Sequence, residues 1–333
     1  MVGLVPTIVL ASAFSAGPSN GLASLPSLAV LQEAGGVDES SSVEPVPGFG
    51  QLDALSRGTS ITFDPQYAHV FNSEVDDNQG EFDLDRLRLR VQGRTVINDT
   101  WELGYGFKYQ FDGFGFAETG FFGASPSPWT DIHTVQFHVG ATVKFTEQWR
   151  GFGGGQFRFA RESGAGWSDA FEGGGAFGAS YSFSRTLTLG GGLGVETQLE
   201  DGLLFYPVIV IDWQIADRWL LTTRMSTGWA DQTGIQLVYD WTETLDVSIG
   251  VAYDYQRFRL NDDGPSPGGV GLFTATPVYA MLTWMPSSPV RLSVFAGANT
   301  MGELELRNSS GNSISKKNYG LGFLFGAQAS ITF

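Results

Sequence analysis

The segment YGLGFLFGAQASITF, Tyr319–Phe333, decides the fold. At every second position it gives Tyr319, Leu321, Phe323, Phe325, Ala327, Ala329, Ile331 and Phe333. The interleaved set is Gly320, Gly322, Leu324, Gly326, Gln328, Ser330 and Thr332. A period of two is the signature of a β-strand, whose successive side chains point to opposite faces. One face is aromatic and aliphatic; the other is small or polar, with Leu324 as the exception. The strand runs to the last residue, a poor place for a long half-apolar strand in a soluble domain. It fits a barrel closed in lipid, where one face meets acyl chains, the other faces a lumen and no edge stays unpaired.

Composition supports that reading. The 333 residues include 45 Gly, 26 Phe, 10 Tyr and 9 Trp, with only 16% charged residues. The longest apolar run, Val2 to Ala16, is broken by Pro6 and by hydroxyl residues. Nothing later approaches the ~18–20 residues that a spanning helix needs. The absence of cysteine excludes disulfides, thiolate metal sites, thiol nucleophiles and a lipidated N-terminal Cys. A net charge of −16 argues against nucleic acid, whose phosphates need Lys and Arg. No cofactor is expected.

Residues 1–16 read as a signal peptide, with an h-region from Val2 to Leu10 and small residues at Ala11, Ala13 and Ala16. Its n-region is atypical, having no Lys or Arg. Residues 17–57 read as a flexible segment rich in Pro, Ser, Gly and acids. The barrel is expected over 58–333.

From Gly58 onward two kinds of connection alternate. Short ones clip polar residues between large apolar ones: Ile97 to Trp101, Phe145 to Trp149, Phe183 to Leu187, Ile215 to Trp219, Trp241 to Leu245 and Met285 to Val290. Long ones are rich in Gly, Pro, Asn, Ser and Asp. This asymmetry belongs to an outer-membrane barrel with short periplasmic turns. The pattern predicts an all-β, transmembrane, antiparallel up-and-down barrel of fourteen strands, with twelve or sixteen as alternatives. The expected strands are 60–70, 82–96, 101–111, 132–145, 149–160, 170–183, 187–197, 204–215, 219–227, 233–241, 245–258, 273–284, 290–306 and 318–333. Pro65 weakens the first, because proline removes a ladder donor. Trp101, Trp149, Trp219, Trp241 and Trp284 sit beside short turns, where an interfacial aromatic girdle belongs.

On this reading the charged residues of the inward faces line a pore. Arg86, Arg88, Arg90 and Arg94 form one wall, joined by Glu102, Lys108, His138 and Lys144. Asp212, Asp240, Asp246 and Asp254 lie further round. Opposed walls of charge set up a transverse field that screens solutes. The expected function is a passive or weakly selective channel for small polar or anionic solutes. A closed lumen is the competing reading, since Asp64 and Glu102 are placed to pair with the arginines and small barrels are plugged by side chains. Enzymatic activity is not expected: His69, His133 and His138 have no nucleophile or orienting acid nearby in sequence. The stretch Asp76 to Glu81 lacks the ligand spacing of a calcium loop.

The strand ladder, the repeated turns and the segment Phe323 to Phe333 resemble bacterial outer-membrane β-barrels, a porin-like, uncharacterised family of unknown function. The resemblance covers residues 58–333. It implies an outer membrane of the Gram-negative type. It also implies that the last strand, with Phe323, Phe325, Ile331 and Phe333, is read by the barrel-assembly machinery. Ile331 stands where an aromatic is frequent. In strand number the chain is also similar to fourteen-stranded fatty-acid transporters, so a channel for hydrophobic substrates is a further alternative. Expected partners are outer-membrane lipid, the assembly machinery and, as an alternative to a lone barrel, further copies in a homo-oligomer.

Overall fold

The computed structural model describes residues 58–75, 80–117, 127–223, 234–287 and 289–333. The expectations for 1–57, for Asp76 to Gln79 and for the end of the expected strand 219–227 lie outside them. The strand segments are β1 (Gly58–Glu74), β2 (Glu81–Val96), β3 (Trp101–Ala117), β4 (Asp131–Lys144), β5 (Trp149–Glu162), β6 (Phe171–Ser182), β7 (Leu187–Thr197) and β8 (Leu203–Ala216). They continue with β9 (Trp219–Thr222), β10 (Gly234–Thr242), β11 (Leu245–Ala252), β12 (Asp254–Arg259), β13 (Val270–Ser287), β14 (Val290–Arg307), β15 (Ser313–Tyr319) and β16 (Gly322–Thr332). Segments β11 and β12 are one strand broken at Tyr253; β15 and β16 are one strand broken at Gly320 and Leu321. Fourteen wall strands result, each antiparallel to the next, and β1 pairs with β16 to close the ring.

Closure sets Thr62 opposite Thr332, Tyr67 opposite Ala327 and Val70 opposite Leu324. Pro65 is accommodated at this seam. The β1 ladder to β2 runs unbroken from Gly58 to Val70, whereas the ladder to β16 skips Asp64 and Pro65. The first strand is therefore longer than expected, not weaker. The short turns explain their own recurrence. Asn98 Oδ1 accepts from the backbone N–H of Trp101 at 2.8 Å, and Thr146 Oγ1 accepts from that of Trp149 at 2.9 Å. A small polar side chain thus satisfies the turn's free donors.

Burial is inverted relative to a soluble protein. Phe323 and Phe325 are 63% and 50% exposed, while inward Leu324 and Gln328 are 2% and 9% exposed. The five turn-linked tryptophans are all between 41% and 57% exposed. An apolar outer band with an aromatic girdle is what acyl chains and headgroups require. The chain is a membrane-spanning β-barrel. Among the described residues no helix is long and apolar enough to cross a membrane; the crossing is made by strands.

Inside, aromatic rings lie on the glycines directly opposite them. Tyr319 faces Gly302, Phe295 faces Gly326, Tyr279 faces Gly250 and Tyr206 faces Gly194. A Cβ at Gly302 would fall 1.8 Å from the Tyr319 ring, and one at Gly326 would fall 2.2 Å from the Phe295 ring. The glycines give the rings the room to lie flat against the wall.

Four neighbouring strands change course at one level. Asp254 pairs with Ala275, Ala275 with Gly302, and Gly302 with Tyr319. On this row fall the break at Tyr253, the β13–β14 register shift between Ala275 and Pro277, and the break at Gly320. Breaks and bulges bend strands. The segments beyond the row (β12, the loop-side ends of β13 and β14, and β15) form a flap. Its edge strand β12 crosses to β5, where Arg259 bridges Arg161 in parallel. This corrects the expected straight strand over 245–258. Both faces of β12 lie in the interior, and Asp254 to Leu260 are buried apart from half-buried Tyr255.

The candidate functional site: a layered lumen

The lumen is layered along the barrel axis. Nearest the short turns, Arg94 Nη2 donates to Glu102 Oε2 at 2.6 Å, and Lys144 pairs with Glu147 at 2.9 Å. Asp240 and Asp246 are direct partners across β10 and β11, and Asp212 accepts from Thr222 Oγ1 at 2.7 Å. Higher up, Arg90 lies 3.3 Å from Asp64, between neighbours Asp64 and Lys108 on the flanking strands. The His138 ring lies over Gly106, opposite it on β3.

The next layer spans the interior. Arg88 Nε and Nη2 donate to Gln110 Oε1 at 3.0 and 2.8 Å, and its Nη1 donates to Gln66 Oε1 at 3.3 Å. Arg86 Nε donates to Asp112 Oδ1 at 2.6 Å and Nη1 to Asp254 Oδ2 at 2.7 Å. The side chains of Arg86 and Asp112 are fully buried. Asp254 therefore reaches the arginine wall directly; at this height the two walls of charge touch instead of facing each other across a gap. Removing one partner from such a buried pair costs about 3–5 kcal/mol, because the other charge is left uncompensated.

Above this layer the interior is apolar. Phe82, Phe114, Trp129, Phe258, Phe273 and Tyr319 form one buried cluster, filled out by Val70, Leu84, Ile132, Leu304, Leu306 and Leu324. The Phe82 and Tyr319 rings meet edge to face at 4.8 Å, as do Trp129 and Phe258 at 5.2 Å. Leu324, the odd residue of the last strand, belongs here. The sequence signal was present in Phe82, Leu84 and Phe114, which break the polar register of their inward faces.

The opposite face of β12 looks onto a different surface. Arg158 on β5 donates through Nε to Glu172 at 2.9 Å and lies 3.5 Å from Glu196. Arg257, Arg259 and Arg307 meet Gln198, Glu200, Asp201 and Glu305 at the loop side. None of these residues stood among the expected pore-lining set.

On the outer wall, Tyr109 and Ser163 hydrogen-bond the two nitrogens of His133 at 2.9 and 3.0 Å. Ser163 lies thirty residues from His133 in sequence, which hid the contact. A tyrosine, not a carboxylate, occupies the orienting position. Among the described residues no group of three or more His, Asp or Glu could hold a metal ion.

No protein-family model matches the chain, and no curated protein matches it in sequence. Solved structures match in fold. The barrel is similar to the toluene transporter TodX of Pseudomonas putida, with 8% identity, 85% of this chain and 91% of that one covered, and a TM-score of 0.50. An outer-membrane channel of Pseudomonas putida F1 matches at 10% identity over 84% of this chain and 97% of that one, with a TM-score of 0.44. The porin KdgM matches at 11% identity over 80% and 97%, with a TM-score of 0.30. At these identities the likeness is one of fold alone.

Proposed function

We propose that the protein is a channel for small, predominantly apolar solutes, shut at its loop side by the flap. The apolar loop-side interior carries this reading. Barrels that pass water and ions have polar interiors, whereas here six aromatic residues and their aliphatic neighbours occupy that position. An apolar solute gains there the transfer free energy that an ion would forfeit. The transporter TodX, similar in fold, is consistent with this cargo class.

The test is uptake of a radiolabelled small aromatic hydrocarbon by cells carrying the protein in their outer membrane. Uptake above that of cells without it, together with low ion current from the refolded barrel in planar bilayers, is expected. A steady ion current without hydrocarbon uptake overturns the reading in favour of a polar pore. Absence of both assigns a closed barrel whose loops act at the surface.

The polar, turn-side half of the lumen favours a second reading, a channel for small polar or anionic solutes. Its gate would be the wall Arg86, Arg88, Arg90 and Arg94. Replacing Arg86, Arg88 and Arg90 by Ala then changes ion permeability; unchanged permeability removes this reading.

A further inference from the structure

We infer that Arg257 is the seat of a small carboxylate ligand. Arg257 lies on β12, on the face opposite Phe258 and the aromatic cluster, and is 1% exposed. Its Nη1 donates to Gln198 Oε1 at 3.1 Å and to Asp201 Oδ2 at 3.4 Å. Its Nε and Nη2 have no hydrogen-bond partner among the described residues. Those two nitrogens form one edge of the guanidinium, a planar fork whose parallel N–H bonds match the two oxygens of a carboxylate.

In three other arginines, Arg88, Arg158 and Arg307, the same edge is occupied. Arg88 closes it on Gln110 Oε1, and Arg158 closes it on Glu172 Oε2. Arg307 sets Nε on Glu305 Oε1 at 2.9 Å and Nη2 on Glu305 Oε2 at 3.3 Å, a carboxylate held by both oxygens. Arg257 alone among these four presents the edge unfilled. Buried donors on a charged group are costly to leave without partners.

The surroundings suit a monoanion. The one carboxylate that Arg257 touches, Asp201, also pairs with Arg307 at 3.2 Å and is 49% exposed. It therefore compensates a fraction of the buried charge. Leu272, directly opposite Arg257 on β13, packs with Leu199 and Val270, while the Tyr255 hydroxyl, which accepts from Gln198 Nε2 at 3.1 Å, is a polar neighbour of the guanidinium. An apolar flank lowers the local dielectric and strengthens a charge-assisted pair. The half-exposed Asp201 places the site one residue deep from the loop-side solvent. The seat goes beyond the channel reading, since its occupancy does not depend on passage of apolar solutes.

Titration of the full-length protein, refolded in detergent micelles, with sodium acetate at constant ionic strength tests the seat. One saturable site is expected. Arg257→Lys keeps the charge but loses the fork, and weakens acetate by about tenfold or more; Arg185→Lys, in an exposed short turn, leaves it unchanged. No saturable acetate binding by the folded wild type overturns the seat, whether or not the variant folds. Equal affinity in Arg257→Lys, or chloride binding as tightly as acetate, also overturns it. Acetate binding without hydrocarbon uptake leaves the seat and removes the channel reading; uptake without acetate binding does the reverse.

Discussion

Gly302 and Tyr319 show how single residues set this barrel's interior. The Tyr319 ring occupies the space a Cβ on Gly302 would need, and its hydroxyl donates to Thr274 O at 2.6 Å. Gly302→Ala is expected to destabilise the folded barrel by about 1–3 kcal/mol through overpacking, read as a lower denaturant midpoint in lipid. Gly155→Ala is the control: the nearest atom to its added Cβ is 3.5 Å away, and no shift is expected. Asp201 gives a pH signature. The Gly202 backbone N–H, with the guanidiniums of Arg257 and Arg307, holds its carboxyl below the usual carboxylate range. A depressed folded value stabilises above the unfolded pKa of about 3.9 and is lost as pH falls through the folded value. Wild type should therefore lose more stability than Asp201→Asn between about pH 4 and pH 2, measured by thermal unfolding across that range. The inward placement of Arg86 was legible, because Leu87, Leu89 and Val91 alternate with it. Its partners were not, because Asp254 lies 168 residues away and reaches it only when β12 folds inward.

At the scale of elements, the flap turns a straight strand into a closure. Its latch is the pair Arg86–Asp254, and its far edge meets β5 at Arg259 and Arg161. The chain has no cysteines, so an introduced pair has no competitor. With Cys at positions 161 and 259, oxidation is expected to lock the flap and abolish hydrocarbon uptake, and a reductant to restore it. Uptake indifferent to oxidation state, with the disulfide verified by mass, would show that solutes do not pass the flap. The sequence carried a trace of this element: Asp254 to Leu260 drops the apolar–polar alternation kept from Leu245 to Ala252. A period-2 reading runs straight through the break and makes 245–258 one wall strand. That trace shows a change of pattern but not that the strand leaves the wall, because the bend is shared by four strands.

For the whole molecule, closure rests on the β1–β16 seam. Segment β16 is hydrogen-bonded on both sides, to β1 and to β14. Removing 322–333 strips pairing from both neighbours and leaves two open edges in lipid, which no membrane barrel tolerates. The truncated chain is expected not to acquire β-structure in detergent micelles by circular dichroism, whereas the full chain does. A folded truncated barrel would show that the seam closes without β16.

The alternation of Tyr319 to Phe333, the short turns and their tryptophans determined by themselves that this chain is an antiparallel barrel in a membrane; the strand pairing chose fourteen strands over twelve or sixteen. Those signals are local: a period of two and a turn chemistry need no knowledge of distant residues. The interior was decided only by the tertiary structure. Which arginines are neutralised, that the loop-side lumen is apolar, and that Arg257 keeps an open fork all depend on contacts between segments far apart in sequence. The bent row through Tyr253, Ala275, Gly302 and Gly320 brings those segments together.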